Sequence, residues 1–269
     1  MKRMRALEIN RYGPPGEVLE INREVQIPSP SVGELLIEVK AVSVNPVDCA
    51  IRRGYGREVF RSASATGFPV RLGRDASGVV AAVGAGVENF RPGDAVWTAP
   101  TRATSADYIV VASSEAALMP KNLSFVEAAA LPFVAMTVWN TLVNQVGLSS
   151  NSTPGQRVLI TRGAGGIGSF AIQLIKAWGG YVASICSTRN VEFVEKLGAD
   201  LVIDYTTQPI AVRDFDVVLD SSLDKEEELL NALKIDAQAT YITITPPKMR
   251  LVDEFGLELG SKKADQLLA

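Results

Sequence analysis

The sequence predicts an α/β protein in two parts. A mostly-β, barrel-like domain covers residues 1–123, and a doubly wound parallel sheet covers residues 124–269. Three observations predict it. Short β-type runs split by Gly and Pro fill the first part, strand and helix patterns alternate in the second, and the first strand of that alternation runs into a glycine-rich turn that opens a helix. The 269 residues suffice for two domains at roughly 100–200 residues each. With 47% apolar and 21% charged residues, both have material for a core.

In the first part the strand candidates are residues 35–42, 78–83 and 107–111, punctuated by Gly13-Pro14-Pro15-Gly16 and Arg91-Pro92-Gly93-Asp94. The texture changes at Ser124, where Ser124 and Glu127 have the spacing of a capping box, with a helix expected to run to about Val146 and to break at Pro132. Strands are then expected at 157–161, 181–186, 201–204, 215–219 and 239–245. Helices are expected from Ile167 to Trp178, where apolar residues fall on one face, at 191–197, and after the acidic turn Asp224, Glu226, Glu227 and Glu228. Residues 251–269 read as polar and helix-prone.

Composition excludes several functions. Lys plus Arg is 27 against 30 Asp plus Glu, so no basic excess exists to neutralise a nucleic acid backbone. There is no histidine, which removes His-based triads and His-ligated metals. Cys49 and Cys186 are far apart and lack a His partner, so both read as structural and no metal site is expected. No apolar run reaches 18 residues, so no membrane-spanning segment is expected. The basic start, Met1-Lys2-Arg3-Met4-Arg5, lacks the apolar stretch of a signal peptide and the length of a transit peptide, which places the chain in the cytoplasm.

The turn Gly163-Ala164-Gly165-Gly166-Ile167-Gly168 has the GxGxxG pattern in the context that gives it meaning, between a strand and an amphipathic helix. Gly163 is expected to permit the tight turn, Gly165 to admit a pyrophosphate, and Gly168 to let helix and sheet pack. Free N–H groups at the helix start favour the anion. The end of the second strand then selects between dinucleotides. Ser187, Thr188 and Arg189 follow Cys186 with no carboxylate to repel a 2′-phosphate, which favours NADPH over NADH. Ser187 and Thr188 also suit ordinary caps of the next helix.

Together with the glycine turn, four segments carry a resemblance. They are Ser43-Val44-Asn45-Pro46-Val47-Asp48, Leu72-Gly73-Arg74-Asp75-Ala76-Ser77-Gly78-Val79-Val80, Phe90-Arg91-Pro92-Gly93-Asp94-Ala95-Val96-Trp97, and Lys196-Leu197-Gly198-Ala199-Asp200 continuing to Asp204-Tyr205. The chain resembles the zinc-free, quinone oxidoreductase-like branch of the medium-chain dehydrogenase/reductase superfamily. The resemblance implies a GroES-like substrate domain and a Rossmann domain with the active site in the cleft between them. It also implies cofactor contacts from Ala164, Gly166 and Ile167 at the pyrophosphate, from Ser187 and Tyr205 at the 2′-phosphate, and from Ser221, Ile244 and Thr137 along the cleft. Thr137 and Ile244 also suit plain packing. Asn45 and Arg74 stand where zinc-dependent relatives carry a ligand Cys and a ligand His, and neither is a zinc donor.

Without a metal, a quinone or an α,β-unsaturated carbonyl is the easier hydride acceptor, because charge delocalises onto an oxygen that hydrogen-bond donors can stabilise. Asn45 is the candidate donor or cofactor-orienting amide and Tyr55 the candidate phenol; a turn cap and an exposed aromatic are their plainer roles. Only five strands are counted where the order 3-2-1-4-5-6 is general. The second domain is therefore expected to lack its last strand, as in a truncated form. Two alternatives stay open: an NADPH-binding protein with little activity, and an enoyl-thioester reductase. The resemblance also allows a homodimer and, through a mitochondrial member, a mitochondrial location.

Overall fold

The computed structural model describes residues 2–58, 67–222, 225–236, 238–244, 252–254, 258 and 261–263. Asp224, Thr245 and most of 251–269, about which expectations were stated, lie outside the described residues. The chain divides into two compact units, Met1–Phe133 with Pro247–Ala269, and Val134–Pro246. The sequence-based boundary at 123/124 thus falls early. The helix that Ser124 starts packs against the sheet of the first unit rather than opening the second.

In the first unit, β1 (Arg3–Ile9), β2 (Leu19–Gln26) and β4 (Val70–Arg71) form an antiparallel sheet in the order β2-β1-β4. A second antiparallel sheet joins β3 (Glu34–Val42), β5 (Ala76–Val83), β6 (Ala95–Thr98), β7 (Tyr108–Ala112) and β8 (Ala116–Leu118) in the order β7-β3-β5-β6-β8. The expected barrel is therefore two sheets, linked by a bridge between Ala6 and Ala106. Leu35, Ile37, Ala76, Val80, Val96, Ile109 and Val111 build the core of the larger sheet. The helix Phe125–Ala129 has the expected capping box. The Ser124 hydroxyl accepts from Glu127 N at 3.3 Å, and Glu127 accepts from Ser124 N at 2.8 Å.

The second unit is a parallel sheet of β9 (Arg157–Ile160), β10 (Tyr181–Cys186), β11 (Leu201–Asp204), β12 (Val217–Asp220) and β13 (Thr240–Thr243), ordered β11-β10-β9-β12-β13. In chain order that is 3-2-1-4-5, the doubly wound arrangement the strand–helix alternation predicts. Period-2 geometry splits each strand between two cores. Val158 and Ile160 face one cluster, with Ile172 and Ile175 of the helix Gly166–Ala177; Leu159 faces the other, with Ala183, Ile185, Phe215 and Leu229. Burying each isoleucine contributes about 1.5–3 kcal/mol, which fixes that helix on the sheet. Parallel strands put every carboxyl end on one edge of the sheet, so the loops after β9, β10, β11 and β12 gather there.

The helical stretch before this sheet breaks at Pro132 as expected, continuing as Pro132–Val138 and then as a π-helix, Trp139–Gln145. Its last turns widen where the Thr141 hydroxyl donates to the Thr137 and Val138 carbonyls, at 2.9 and 3.1 Å. By length and apolarity alone, Phe125–Gln145 is long and apolar enough to cross a membrane, although no unbroken apolar run marks it in the sequence. Here Val138 and Leu142 are fully buried in the core of the second unit.

Candidate functional site

The turn after β9 is fixed by hydrogen bonds at both ends. Gly163 N donates to the Ile185 carbonyl at 3.0 Å, and Gly165 N donates to the Arg162 carbonyl at 2.8 Å. Its glycines serve different ends. A Cβ on Gly163 would stand 2.0 Å from Ser184 Oγ, and one on Gly168 would stand 2.4 Å from the Arg162 carbonyl oxygen, so these two let turn, strand and helix close on one another. The residue of this turn in the left-handed region is Arg162, at φ 50, and not Gly163. Gly165 is exposed at φ −78, ψ 166, a region open to any residue, and a Cβ there would meet only the Arg162 carbonyl, at 3.2 Å. That contact is tight for a Cβ, and without one the backbone at 165 stays open to close approach from solvent. The first-turn N–H groups of Gly166, Ile167 and Gly168 have no carbonyl within their own helix. A diphosphate therefore fits the residues present.

Beside the turn, Thr161, Arg162, Ile185, Tyr205, Ser222 and Lys225 line a cavity of about 180 Å³ over the strand ends. Ser187 follows β10, and its hydroxyl accepts from Asn190 Nδ2 at 3.1 Å. Ser187 precedes the next helical turn, but its side chain makes no cap bond to the backbone. Thr188 and Arg189 are exposed. The absence of a carboxylate at this strand end, read from sequence, needs correction. Asp204 ends β11 in register with Cys186. The Thr188 hydroxyl lies 2.6 Å from Thr206 Oγ1, which donates to Asp204 at 2.7 Å. Hydrogen bonds from Thr188 and Thr206 hold the Asp204 carboxyl below its ordinary range. The carboxylate was missed because it arrives from another strand. Burial, then the charges of Asp204 and Glu195, pushes the Cys186 thiol up, consistent with a structural cysteine.

At the end of β12, Asp220 ties the sheet together. It accepts from Thr161 Oγ1 at 2.9 Å, Ser222 N at 2.8 Å, Ser222 Oγ at 2.7 Å and Tyr241 OH at 2.8 Å. Thr161 also accepts from Ser221 N at 2.7 Å. β9 and β12 are where the chain order of the sheet reverses, and ligands of open α/β sheets bind outside such a point. Ser221 is thus held there, while Ile244, bonded through its N–H to the Asp220 carbonyl, packs against the core. Thr137 lies on the helix Pro132–Val138, half-buried.

The first unit holds the other two candidates. Asn45 caps the helix Pro46–Arg52 and is 7% exposed. Its Nδ2 donates to Ser43 Oγ at 2.9 Å and to Asp75 Oδ1 at 3.2 Å. That uses the amide's donors and turns Oδ1 away from Asp75, so the group Asn45 can offer a ligand is an acceptor. Burial pushes the Asp75 carboxyl up, only partly offset by its donors. Asp48 accepts from Asn45 N at 2.8 Å and Gly73 N at 2.9 Å, and its charge opposes the lowering that burial imposes on Arg74. Tyr55 follows the same helix, half-buried. Its phenol is pushed up by burial and then by Asp253, so it stays a neutral O–H donor. Asp253 reaches this loop from the far end of the chain, accepting from Gly56 N at 2.5 Å and Glu58 N at 3.2 Å. The segment expected only to be polar and helix-prone thus returns to support the loop of the first unit. Among the described residues, no three Cys, Asp or Glu side chains gather as a metal site would need.

Residues 31–118 match the family model of the alcohol dehydrogenase GroES-like domain. The chain is 38% identical over 275 residues to the NAD(P)H oxidoreductase RTN4IP1, mitochondrial, of Mus musculus, covering 96% of this chain and 69% of that protein. It is 36% identical over 210 residues to the chloroplast envelope quinone oxidoreductase homolog of Arabidopsis thaliana, covering 77% of this chain and 62% of that one. The quinone oxidoreductase of Coxiella burnetii superposes with a TM-score of 0.81 at 28% identity, over 99% of this chain and 86% of that chain.

Proposed function

Because the chain belongs to the medium-chain dehydrogenase/reductase family, in its quinone oxidoreductase-like branch, we propose that it is an NADPH-dependent oxidoreductase that reduces a quinone or an α,β-unsaturated carbonyl without a catalytic metal. The observation that carries the reading is the glycine turn after β9, where Gly165 leaves the backbone bare at an exposed helix N-terminus. Gly166, Ile167 and Gly168 bind the diphosphate through main-chain N–H groups, and Thr161 and Ser221 hold the loop beside it. A bound nicotinamide supplies the hydride. Asn45 orients a hydroxyl or amide N–H through Oδ1, the atom not used in its bonds to Ser43 and Asp75. Tyr55 donates from a phenol that stays protonated, and Arg74 offers positive charge to an oxygen gaining electrons. A guanidinium has no lone pair for zinc, which favours the metal-free route. The mitochondrial names of the relatives favour that compartment over the cytoplasm.

Calorimetric titration with NADPH, then loss of NADPH absorbance with a panel of quinones, enones and enoyl thioesters, tests the reading. Gly165→Ala is expected to keep stability within about 1 kcal/mol while weakening NADPH at least about tenfold, since its methyl group occupies the ligand's place. An unchanged affinity in Gly165→Ala, or no heat with folded wild-type protein, would defeat it.

A further inference from the structure

We propose that Arg162 is a specificity residue whose guanidinium grips the 2′-phosphate of the dinucleotide's adenosine, with Lys225 as the second cation. The inference rests on the dinucleotide reading above and adds to it the residue that would distinguish NADPH from NADH. Among the described residues, the non-glycine residues at positive φ are Arg162 and Asp214. Aspartate tolerates the left-handed region through local hydrogen bonds of its short side chain; arginine has no such compensation. The turn dictates this conformation, because the Arg162 carbonyl accepts from Gly165 N at 2.8 Å and Gly168 closes against the same oxygen. Glycine or asparagine would sit there with less strain. A long cation held in a strained conformation points to a use for its side chain.

That side chain is exposed and, among the described residues, forms neither a hydrogen bond nor an ion pair. It lines the cavity over the strand ends together with Tyr205, Ser222, Lys225 and the apolar Ile185 and Leu229. Lys225 is only loosely paired, 3.3 Å from Glu228. Among the described residues, no carboxylate belongs to the lining. A lining that combines apolar side chains with two cations suits a flat heterocycle carrying a phosphate. The residues that follow β10 and β11 are less suited. Thr188 is engaged with Thr206, and Asp204 holds a negative charge there. A phosphate dianion would be repelled from Asp204 and drawn toward Arg162.

The test is calorimetric titration of wild type, Arg162→Gly, Arg162→Asn and Arg162→Lys with four probes: NADPH, NADH, 2′,5′-ADP and 5′-AMP. Each variant is also melted without ligand. Arg162→Gly and Arg162→Asn should melt at or above the wild-type temperature, because the strain is relieved. They should bind NADPH and 2′,5′-ADP at least about tenfold more weakly, with NADH and 5′-AMP within about twofold of wild type. Arg162→Lys should keep most of the NADPH affinity. Equal weakening of NADPH and NADH would place the guanidinium on the shared diphosphate and overturn the proposal. So would unchanged NADPH binding, or a lowered melting temperature in both uncharged variants. Wild-type protein that binds neither dinucleotide would overturn the reading beneath it as well.

Discussion

Asp75 in the first unit and Asp220 in the second are both fully buried, and burial pushes both toward the neutral acid. They end on opposite sides of the ordinary carboxylate range. Asp75 takes hydrogen bonds from the Ser43 hydroxyl, from Asn45 Nδ2 at 3.2 Å and from Phe133 N at 3.2 Å, with the Asp48 charge nearby, and it stays raised. Asp220 takes four bonds of 2.7 to 2.9 Å from Ser222, Thr161 and Tyr241, and these outweigh burial and hold it low. Burial, and then donation to Asp220, pushes the Tyr241 phenol strongly up. The number of short donors, not depth, decides whether a buried carboxylate is settled. Asp220 is settled and joins three strands. Asp75 is poised, and what it holds is the amide of Asn45.

The largest effect should come from breaking the settled site. Asp220→Asn puts an NH₂ group where one or more donors point, leaving buried hydroxyls and an N–H unpaired. The expected loss is about 2–4 kcal/mol, read as a lowered urea midpoint with unchanged slope. Asp75→Asn should cost less at neutral pH, because it also removes a charge the protein holds at a disadvantage. If the two variants unfold at the same urea concentration at pH 7, the contrast between the sites is wrong.

Acid sharpens the contrast, because the two sites respond with opposite sign. A raised folded-state pKa gives Asp75 a contribution that is full below its unfolded value, about 3.9, and is lost as pH rises through the folded value. A depressed one gives Asp220 a contribution that is full above about 3.9 and is lost as pH falls through the folded value. Between neutral pH and about pH 4, the penalty of Asp75→Asn should therefore grow, while that of Asp220→Asn begins to shrink only below about pH 4. Melting curves of wild type and both variants across this range check the signs. Parallel pH profiles would mean that neither carboxylate is perturbed as described.

The strand order of the second unit and the site of its glycine turn were legible because periodicity and glycine spacing are local signals. Ser124 and Glu127 were legible for the same reason, lying three residues apart. What escaped depends on pairing across the chain. Asp204 reaches the end of β10 only through strand register. Asp253 reaches Gly56 and Glu58 from nearly two hundred residues away, with no pattern in either segment to announce it. Asp75 and Asp220 look, in sequence, like any acids at strand ends; their burial follows from what packs over them. The donor role read for Asn45 depended on its side-chain orientation, which Ser43 and Asp75 set. Arg162 stood beside the motif, and a GxGxxG pattern has no position for the residue that carries the strain.

The smallest expected effect concerns Ser43, which donates to Asp75 and accepts from Asn45. Ser43→Ala removes one of the few donors that favour the charged form of Asp75, so its carboxyl should titrate still higher. At neutral pH the cost should be about 1 kcal/mol, the worth of one hydrogen bond to a carboxylate less the cost of burying a hydroxyl. In acid that cost should shrink, because a protonated Asp75 carries its own O–H and no longer needs the serine's. Denaturation of wild type and Ser43→Ala at neutral and acid pH separates the two contributions. A cost that does not change with pH would mean that Ser43 merely fills space, and that the Asp75 charge is held by Asn45 and Phe133 alone.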